Sequence, residues 1–470
     1  MEARCQVFTP ESIAFYMLDL IGYNGNVYGK KVIENSCGEG NILCAIVSRY
    51  IEGLYGQTSE YIRNGLERDI VGYDVDAVCC EKTINKLNNV AQKYGIKNVV
   101  WNVSSKDTLS YNIDQEYDFV IGNPPYISYR HLEKEHRDFL RENYSSCKVG
   151  AFDYCYAFIE HGLKSLKTGG KLVYLIPSSI FKNVHAQNLR ELMKQHLHVV
   201  CDYTTQKLFD KVLTSSALIV CEKDSSYPNI TYKDMASKEE WIVSKLELID
   251  KWTFTNNANL NRRNDEVRFG DLFSASIVVA TLLNEAFVVS NYTEDADNLV
   301  CNGHLIEMEI TRETASPRGF RNHRQERIIF PYYYENGVLC RYSEQEFSER
   351  FPLAVEYLSQ YRDKLNKRDT DKNAKWFEYG RSQALRRINQ KKLLVSTIVT
   401  ENVEVYSLSA DCIPYAGIYI TPKKDVPLEV ARHVLTSVDF KQYILGIGIY
   451  ANGHSVRITP KDIEEYKFVL

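Results

Sequence analysis

The segment Lys31-Val32-Ile33-Glu34-Asn35-Ser36-Cys37-Gly38-Glu39-Gly40-Asn41 reads as the end of a strand, a tight turn and the start of a helix. Val32 and Ile33 form the apolar strand, and an apolar pattern of helical period runs from Asn41 to Leu54. Gly38 and Gly40 let the backbone between them turn sharply and come close to a ligand. No Lys-Ser/Thr pair follows, so this is not a phosphate-cradling loop. Alone, a turn with two glycines reads better as an ordinary structural connection. Its neighbours give it meaning.

Working outward, Ile70 to Asp74 reads as a second strand, with a helix from Asp76 to Lys93. Asn98 to Val103 is an expected third strand and Tyr117 to Ile121 a fourth. A helix over 152–166 is expected to stop at Gly169-Gly170, in the manner of a C-terminal cap, before a strand from Lys171 to Ile176. Helix and strand alternate again as far as Cys221. This is the pattern of an α/β, Rossmann-like, mostly parallel sheet with helices on both faces. In such sheets ligands lie at the carboxyl ends of the strands.

Near residue 235 the character changes. Ser237-Lys238-Glu239-Glu240 has the form of a helix capping box, which predicts a linker helix over 236–254. The expected division is a first domain over 1–235, that linker, and a less regular α+β domain over 255–470.

At 470 residues the chain has room for two to three cored domains. Apolar residues make up 44% and charged residues 25%, the balance of a soluble globular protein. No apolar run reaches the length of a membrane span. Met1-Glu2-Ala3-Arg4-Cys5 lacks the apolar stretch of a secretion signal. The twelve cysteines include no Cys-x-x-Cys pair, so reduced cysteines, no metal site and a cytoplasmic protein are expected. A net charge of −4 does not mark a nucleic-acid binder, and any such surface must be a local basic one.

Candidate chemistry clusters at the strand ends. Asp74 closes the second strand, where a carboxylate can accept from both hydroxyls of a ribose. Asp107-Thr108 follows the third strand, where a carboxylate can hold an adenine amino group. Either Asp alone reads as a helix cap or loop residue; their order behind the glycine turn makes the pair a nucleotide-type site. Gly122-Asn123-Pro124-Pro125-Tyr126 ends the fourth strand. Consecutive prolines fix two φ angles and remove two donors, so this turn is stiff and its carbonyls are free to accept. The Asn123 side-chain oxygen and the Pro124 carbonyl can together take both hydrogens of a planar amino group, orienting it without deprotonating it. Tyr126 offers a face for a base to stack on. An isolated Asn-Pro is an ordinary loop punctuator.

These motifs in this order resemble the gamma class of adenine-N6 DNA methyltransferases, the TaqI-like modification enzymes of restriction systems. Phe8-Thr9-Pro10 matches the family's N-terminal motif, carrying Thr9 and Pro10 into the expected cofactor site. Glu34, Ser36, Cys37, Gly38 and Gly40 match its methionine-binding loop, Asp74 and Val75 its ribose and adenine contacts, and Asp107 with Thr108 the contact to the cofactor amino group. Asn123, Pro124, Pro125 and Tyr126 match the catalytic motif, in which Asn123 also borders the cofactor. Lys207 to Val212 resembles the segment that supplies a second aromatic wall, which makes Phe209 a candidate, although a core phenylalanine fits the same pattern. Asn35 departs from the Pro of many relatives, a change in loop stiffness rather than chemistry.

The resemblance implies S-adenosyl-L-methionine as cofactor, double-stranded DNA as partner and a target adenine flipped out of the helix. It also implies a monomer, with any restriction endonuclease a separate protein. Phe269 to Phe273 and Ile277 to Val289 resemble the opening of a target-recognition domain. Arg312 to Arg327 carries five Arg against two Glu, and Gly380 to Lys392 carries five basic residues and no acid. Arg318, Arg321, Arg324, Arg381, Arg386 and Arg387 are the candidate DNA contacts, with Phe320, Trp376, Phe377 and Tyr379 beside them. Taken singly, each basic run reads as a solvated face.

Three rival readings stand beside this one. Asn-Pro-Pro-Tyr also serves enzymes that methylate a protein glutamine or an RNA base. The position of Phe8-Thr9-Pro10 before the glycine turn and the large second domain argue against these. A catalytically inactive DNA-binding subunit conflicts with the intact turns. A fused nuclease finds no metal-dependent pattern to support it.

Overall fold

A computed structural model describes residues 9–111, 116–204, 215–254, 266–450 and 455–470. These fall into two compact units, divided between residues 254 and 266.

The first unit is built on one nine-stranded sheet. Its strands are β1 (Val32–Glu34), β2 (Ile70–Asp74), β3 (Asn102–Ser105), β4 (Tyr117–Gly122), β5 (Leu166–Pro177), β6 (Leu197–Asp202), β7 (Ser216–Glu222), β8 (Asn229–Asp234) and β9 (Glu239–Ser244). They lie in the order β3-β2-β1-β4-β5-β7-β6-β8-β9. β1 to β5 run parallel, while β7 is antiparallel to both β5 and β6. The expected α/β sheet is therefore present. The strand order reverses between β1 and β4, and clefts for ligands open at such switch points.

Both faces of the sheet are covered, so its central strands carry apolar residues toward both faces. On β5, Leu172, Tyr174 and Ile176 face one core and Val173 and Leu175 the other. The first core is closed by α6 (Cys155–Ser165) and α7 (Gln187–Lys194), with Leu140 of α5 (Lys134–Asn143) at its margin. The second is closed by α1 (Glu11–Ile21), α2 (Asn41–Glu52), α3 (Ser59–Asp69) and α4 (Ala77–Lys93). Asp76 caps α4 by accepting from the amides of Val78 and Cys79.

Three expectations are corrected. Gly169 and Gly170 do not cap a helix. α6 ends at Ser165, and both glycines lie within β5, where the Gly169 amide donates to the Lys223 carbonyl. The third strand begins at Asn102 rather than Asn98, since Asn98 takes a positive φ of 57° that breaks an extended run.

The linker helix over 236–254 does not form. Asp234 folds its side chain back onto the amides of Ala236 and Ser237, and Lys238 turns at φ 62°. The capping-box residues thus belong to a hairpin. Glu239–Ser244 pairs antiparallel with β8, placing Trp241 against Tyr232 at 4.7 Å between centroids. The first unit consequently continues past 235 to Trp252, fully buried with its amide donating to the Phe181 carbonyl.

The second unit is α+β, as expected, with several small sheets. Residues 273–277, 418–422, 392–395 and 405–408 form an antiparallel four-stranded sheet, and residues 288–290, 326–329, 311–315 and 413–414 form a mixed one, in which 311–315 and 413–414 run parallel. Among the described residues, no helix is long and apolar enough to cross a membrane.

Because β7 is the strand that ties β6, β8 and β9 to β1–β5, truncating its centre should be costly. Ile219, fully buried between Tyr174 and Val200, is the test position. Ile219→Ala is expected to lose about 2–5 kcal/mol, read as a lower urea midpoint in equilibrium unfolding.

Candidate active site

β1 pairs in parallel with β4 through Val32–Phe119 and Ile33–Val120, so the turns that follow the two strands emerge side by side. One cavity receives both. It is lined by Glu34, Asn35, Ser36, Cys37 and Gly38 from the first turn and by Asn123, Pro124, Pro125 and Tyr126 from the second. Asp74, Val75, Asp107, Thr108 and Thr9 complete this part of the wall. The structure thus gathers into one cavity nearly all the residues singled out for cofactor and catalysis.

The first turn is held from beneath. Gly38 and Gly40 take φ of 49° and 79°, in the left-handed region. At Gly40 a Cβ would sit 2.6 Å from Thr83 Cγ2, so α4 closes over the turn. Thr83 Oγ1 donates to the Gly38 carbonyl at 2.9 Å, and Glu39 pairs with Lys82 and Lys86 of the same helix. Glu34 is buried, and its carboxylate accepts from the Leu43 amide in the first turn of α2. Burial pushes the Glu34 carboxyl well up, against the pull of that amide. Asn35 is also buried, and its Oδ1 accepts from the Tyr174 hydroxyl at 2.8 Å.

Asp74 receives the Gly38 amide on Oδ2 at 2.8 Å and the Asp76 amide on Oδ1 at 2.9 Å. Each oxygen keeps a lone pair for a further donor. Asp107 likewise accepts from the Leu109 amide and the Ser110 hydroxyl. Ser36 Oγ and Thr108 Oγ1 are buried without a hydrogen-bond partner among the described residues, and both residues line the cavity. Buried hydroxyls left so are costly unless a ligand satisfies them.

In the second turn, Asn123 Nδ2 donates to Thr9 Oγ1 at 3.2 Å, and Asn123 Oδ1 lies 2.8 Å from the Tyr126 hydroxyl. That hydroxyl also lies 2.9 Å from the Leu175 carbonyl, and its single proton serves one acceptor at a time. Burial pushes the Tyr126 phenol well up, so it stays a donor. The Tyr126 ring packs partly against the core of the first unit.

Sequence reasoning missed part of the wall. Tyr154 and Phe158, at the start of α6, line the cavity, as do Lys106, Asn41 and Ile42. The signal for Tyr154 was its place just before an apolar helix, which by itself reads as core. Pro10 caps α1 beside Thr9, outside the cavity lining. Phe8 and the 207–212 segment with Phe209 lie outside the described residues.

The candidate DNA contacts of the second unit divide. Arg318, Arg324, Arg386 and Arg387 are exposed and have no carboxylate partner among the described residues. Arg321 is exposed but paired with Glu404, and Arg381 is paired with Asp369 and Asp371. Phe377 and Tyr379 are fully buried core residues and cannot stack on a base, a correction to their placement beside the basic run. Lys392, in the same run, is buried and donates to three backbone carbonyls.

Residues 42–209 match the family described as Eco57I restriction-modification methylase. The type II restriction enzyme and methyltransferase RM.Eco57I of Escherichia coli is 22% identical over 352 residues, 65% of this chain and 35% of that protein. The type II methyltransferase M.BstVI of Geobacillus stearothermophilus is 22% identical over 514 aligned positions, 98% of this chain and 89% of its own. The chain spans about a third of the first of these relatives and most of the second. The structure of the type IIL restriction-modification enzyme MmeI in complex with DNA shares the fold at a TM-score of 0.63 and 12% identity, over 97% of this chain and 64% of that one. The chain is thus similar to methyltransferases of restriction–modification systems.

Asp153 adjoins this wall, between Phe152 and Tyr154, with Oδ1 accepting from the Cys155 amide at 3.1 Å. Burial pushes its carboxyl up to about 6. A raised native pKa favours the protonated form, so its stabilisation is full below the unfolded value of about 3.9 and is lost as pH rises through about 6. Asp153→Asn keeps the acceptor and removes the charge. Its thermal-stability gain over the wild type should grow between pH 5 and pH 7.5 by about 1 kcal/mol. A gain independent of pH would assign the shift elsewhere.

Proposed function

We propose that the chain is a site-specific DNA methyltransferase that transfers a methyl group from S-adenosyl-L-methionine to the exocyclic amino group of an adenine flipped out of double-stranded DNA. The observation that carries this reading is the meeting of the Asn123-Pro124-Pro125-Tyr126 turn with the glycine turn in one cavity. The match to restriction-modification methylases over 42–209 supports the modification role.

The residues present fit the cofactor. Asp74 retains acceptor capacity for the ribose hydroxyls, and Asp107 for the adenine amino group. The orphaned hydroxyls of Ser36 and Thr108 leave donors and acceptors for a polar ligand, and left-handed Gly38 would let the backbone approach it. When bound, S-adenosyl-L-methionine supplies an electrophilic methyl group. The chain's own residues do the positioning.

Asn123 Oδ1 and the Pro124 carbonyl accept the two hydrogens of the target amino group and so orient its lone pair. A carbonyl oxygen has two lone pairs, so Asn123 can hold the Tyr126 hydroxyl and the substrate together. Thr9 fixes the other end of the same amide and thereby its rotation. Flipping the base costs a few kcal/mol of stacking and pairing, which the Tyr126 face partly offsets. In the second unit, Arg318, Arg324, Arg386 and Arg387 are free to meet phosphates, whereas Arg321 and Arg381 would first have to leave their carboxylates. We assign any restriction activity to a separate protein and take the chain to act as a monomer.

Asn123→Ala should abolish methyl transfer to duplex DNA while calorimetric affinity for S-adenosyl-L-methionine survives. Normal turnover would refute the assignment. Modification-sensitive sequencing of DNA from cells expressing the wild-type protein should find N6-methyladenine in one sequence context; labelled methyl on protein glutamine or RNA instead would overturn the reading. Tyr126→Phe keeps the ring and removes the hydroxyl that reaches Asn123 Oδ1 and the Leu175 carbonyl. It should lower kcat roughly tenfold with KM for DNA little changed, since about 1.4 kcal/mol of orientation is lost without loss of the stacking face.

A further inference from the structure

The Asn123–Tyr126 turn leads directly into a cationic surface that the positioning of the target base does not use. Tyr129–His131 form a single 3-10 turn, with Arg130 and His131 exposed. Two guanidinium groups from α5 cover the Tyr129 ring: the Arg137 carbon lies 4.7 Å from its centroid and that of Arg141 5.1 Å. Among the described residues neither has a carboxylate partner, and the same holds for Arg130, Lys134 and Lys148. Arg68, Arg350 and Arg362 also stack on rings, but each is neutralised, by Asp69, Glu309 and Glu344 in turn.

α5 sorts its charges. Lys134, Arg137 and Arg141 recur at i, i+3 and i+7 and share one stripe of the helix. Glu135, Asp138 and Glu142 repeat the spacing one residue later, about 100° round the axis. The basic stripe meets Tyr129, and the acidic one is turned aside. A guanidinium held by its face over an aromatic ring keeps its N–H edge available, the edge that binds a phosphate in two places at once. Arg141 spends one of those donors on the Gly150 carbonyl at 3.4 Å, and its buried Nε has no partner among the described residues.

The surface is tied to the cavity. The Tyr154 amide donates to the Ile127 carbonyl at 2.9 Å, and the His136 ring of α5 packs edge-on against Tyr154 at 5.1 Å. Tyr154 in turn lines the cavity. A nucleotide drawn into the cavity brings its own phosphates to the rim, where charge must be met.

We propose that Arg137 and Arg141, pre-set on Tyr129 and flanked by Arg130 and Lys148, bind the backbone phosphates next to the flipped nucleotide, so that the catalytic unit holds DNA itself. This rests on the DNA-methyltransferase reading. The test is the salt dependence of binding to a short mixed-sequence duplex containing adenine, followed by fluorescence anisotropy.

Arg137→Gln/Arg141→Gln should flatten the plot of log affinity against log salt by roughly 0.9 for each phosphate no longer neutralised. Arg137→Lys/Arg141→Lys, which keeps the charge, should recover most of the slope. Unchanged affinity for S-adenosyl-L-methionine reports an intact fold. If the double variant fails that check, Arg130→Gln and Lys148→Gln, both exposed, repeat the measurement without disturbing Tyr129. A wild-type slope in the correctly folded variants overturns the proposal alone. Absence of salt-dependent DNA binding by the wild-type chain overturns the DNA reading and this surface with it.

Discussion

The Tyr174 hydroxyl on β5 donates to buried Asn35 Oδ1 at 2.8 Å, and that bond spans the strand between them, β4, at Gly122. A Cβ at Gly122 would lie 3.2 Å from the Tyr174 ring and 3.7 Å from Asn35 Oδ1, so the residue preceding Asn123 has to be small. Three adjacent parallel strands are thereby locked at their carboxyl ends. Everything chemical in the first unit hangs from that lock, since it sets the distance between the turn after β1 and the turn after β4. An unpaired polar group at this depth would cost more than the bond itself contributes, which makes the arrangement specific as well as stable.

The same logic governs the second turn. Asn123 is gripped at both ends of its amide, by Thr9 and by Tyr126. Thr9 comes from far away in the chain, immediately ahead of α1, and α1 packs on the core formed with α2. The short motif before the glycine turn therefore has a mechanical purpose: it brings a hydroxyl to the one side chain whose rotation matters. Tyr126 combines two roles that its sequence position does not separate, a ring for stacking and a hydroxyl for holding Asn123.

Much of the first unit was legible because its signals are local. β2 ends at Asp74 as its apolar run does, and the glycine turn and the double-proline turn identify themselves. What could not be read depends on distant partners. Ser237-Lys238-Glu239-Glu240 carries the residues of a capping box, but pairing with the edge of β8 and packing of Trp241 on Tyr232 make the segment a strand. Tyr154 and Phe158 look like core residues in sequence, and only the approach of α6 to the cavity distinguishes them. Asn35, which read as a mere change in loop stiffness, is a buried hydrogen-bond partner because of Tyr174, 139 residues away.

Basic runs illustrate the same limit in electrostatic terms. Counting arginines over 312–327 and 380–392 treats them as equal, yet Arg381 is neutralised by two aspartates, Arg321 by Glu404, and Lys392 is enclosed by carbonyls. A cation already paired must give up that partner before it can release counterions from a nucleic acid, so it contributes less to binding than its charge implies. The run around α5 was invisible to such a count, because its five bases alternate with four acids between Tyr129 and Gly150. Helical geometry separates the two signs, and the Tyr129 ring then gathers Arg137 and Arg141 onto one face. Charge that is cancelled along the sequence is restored across the surface, next to the turn where a polyanion would have to be held.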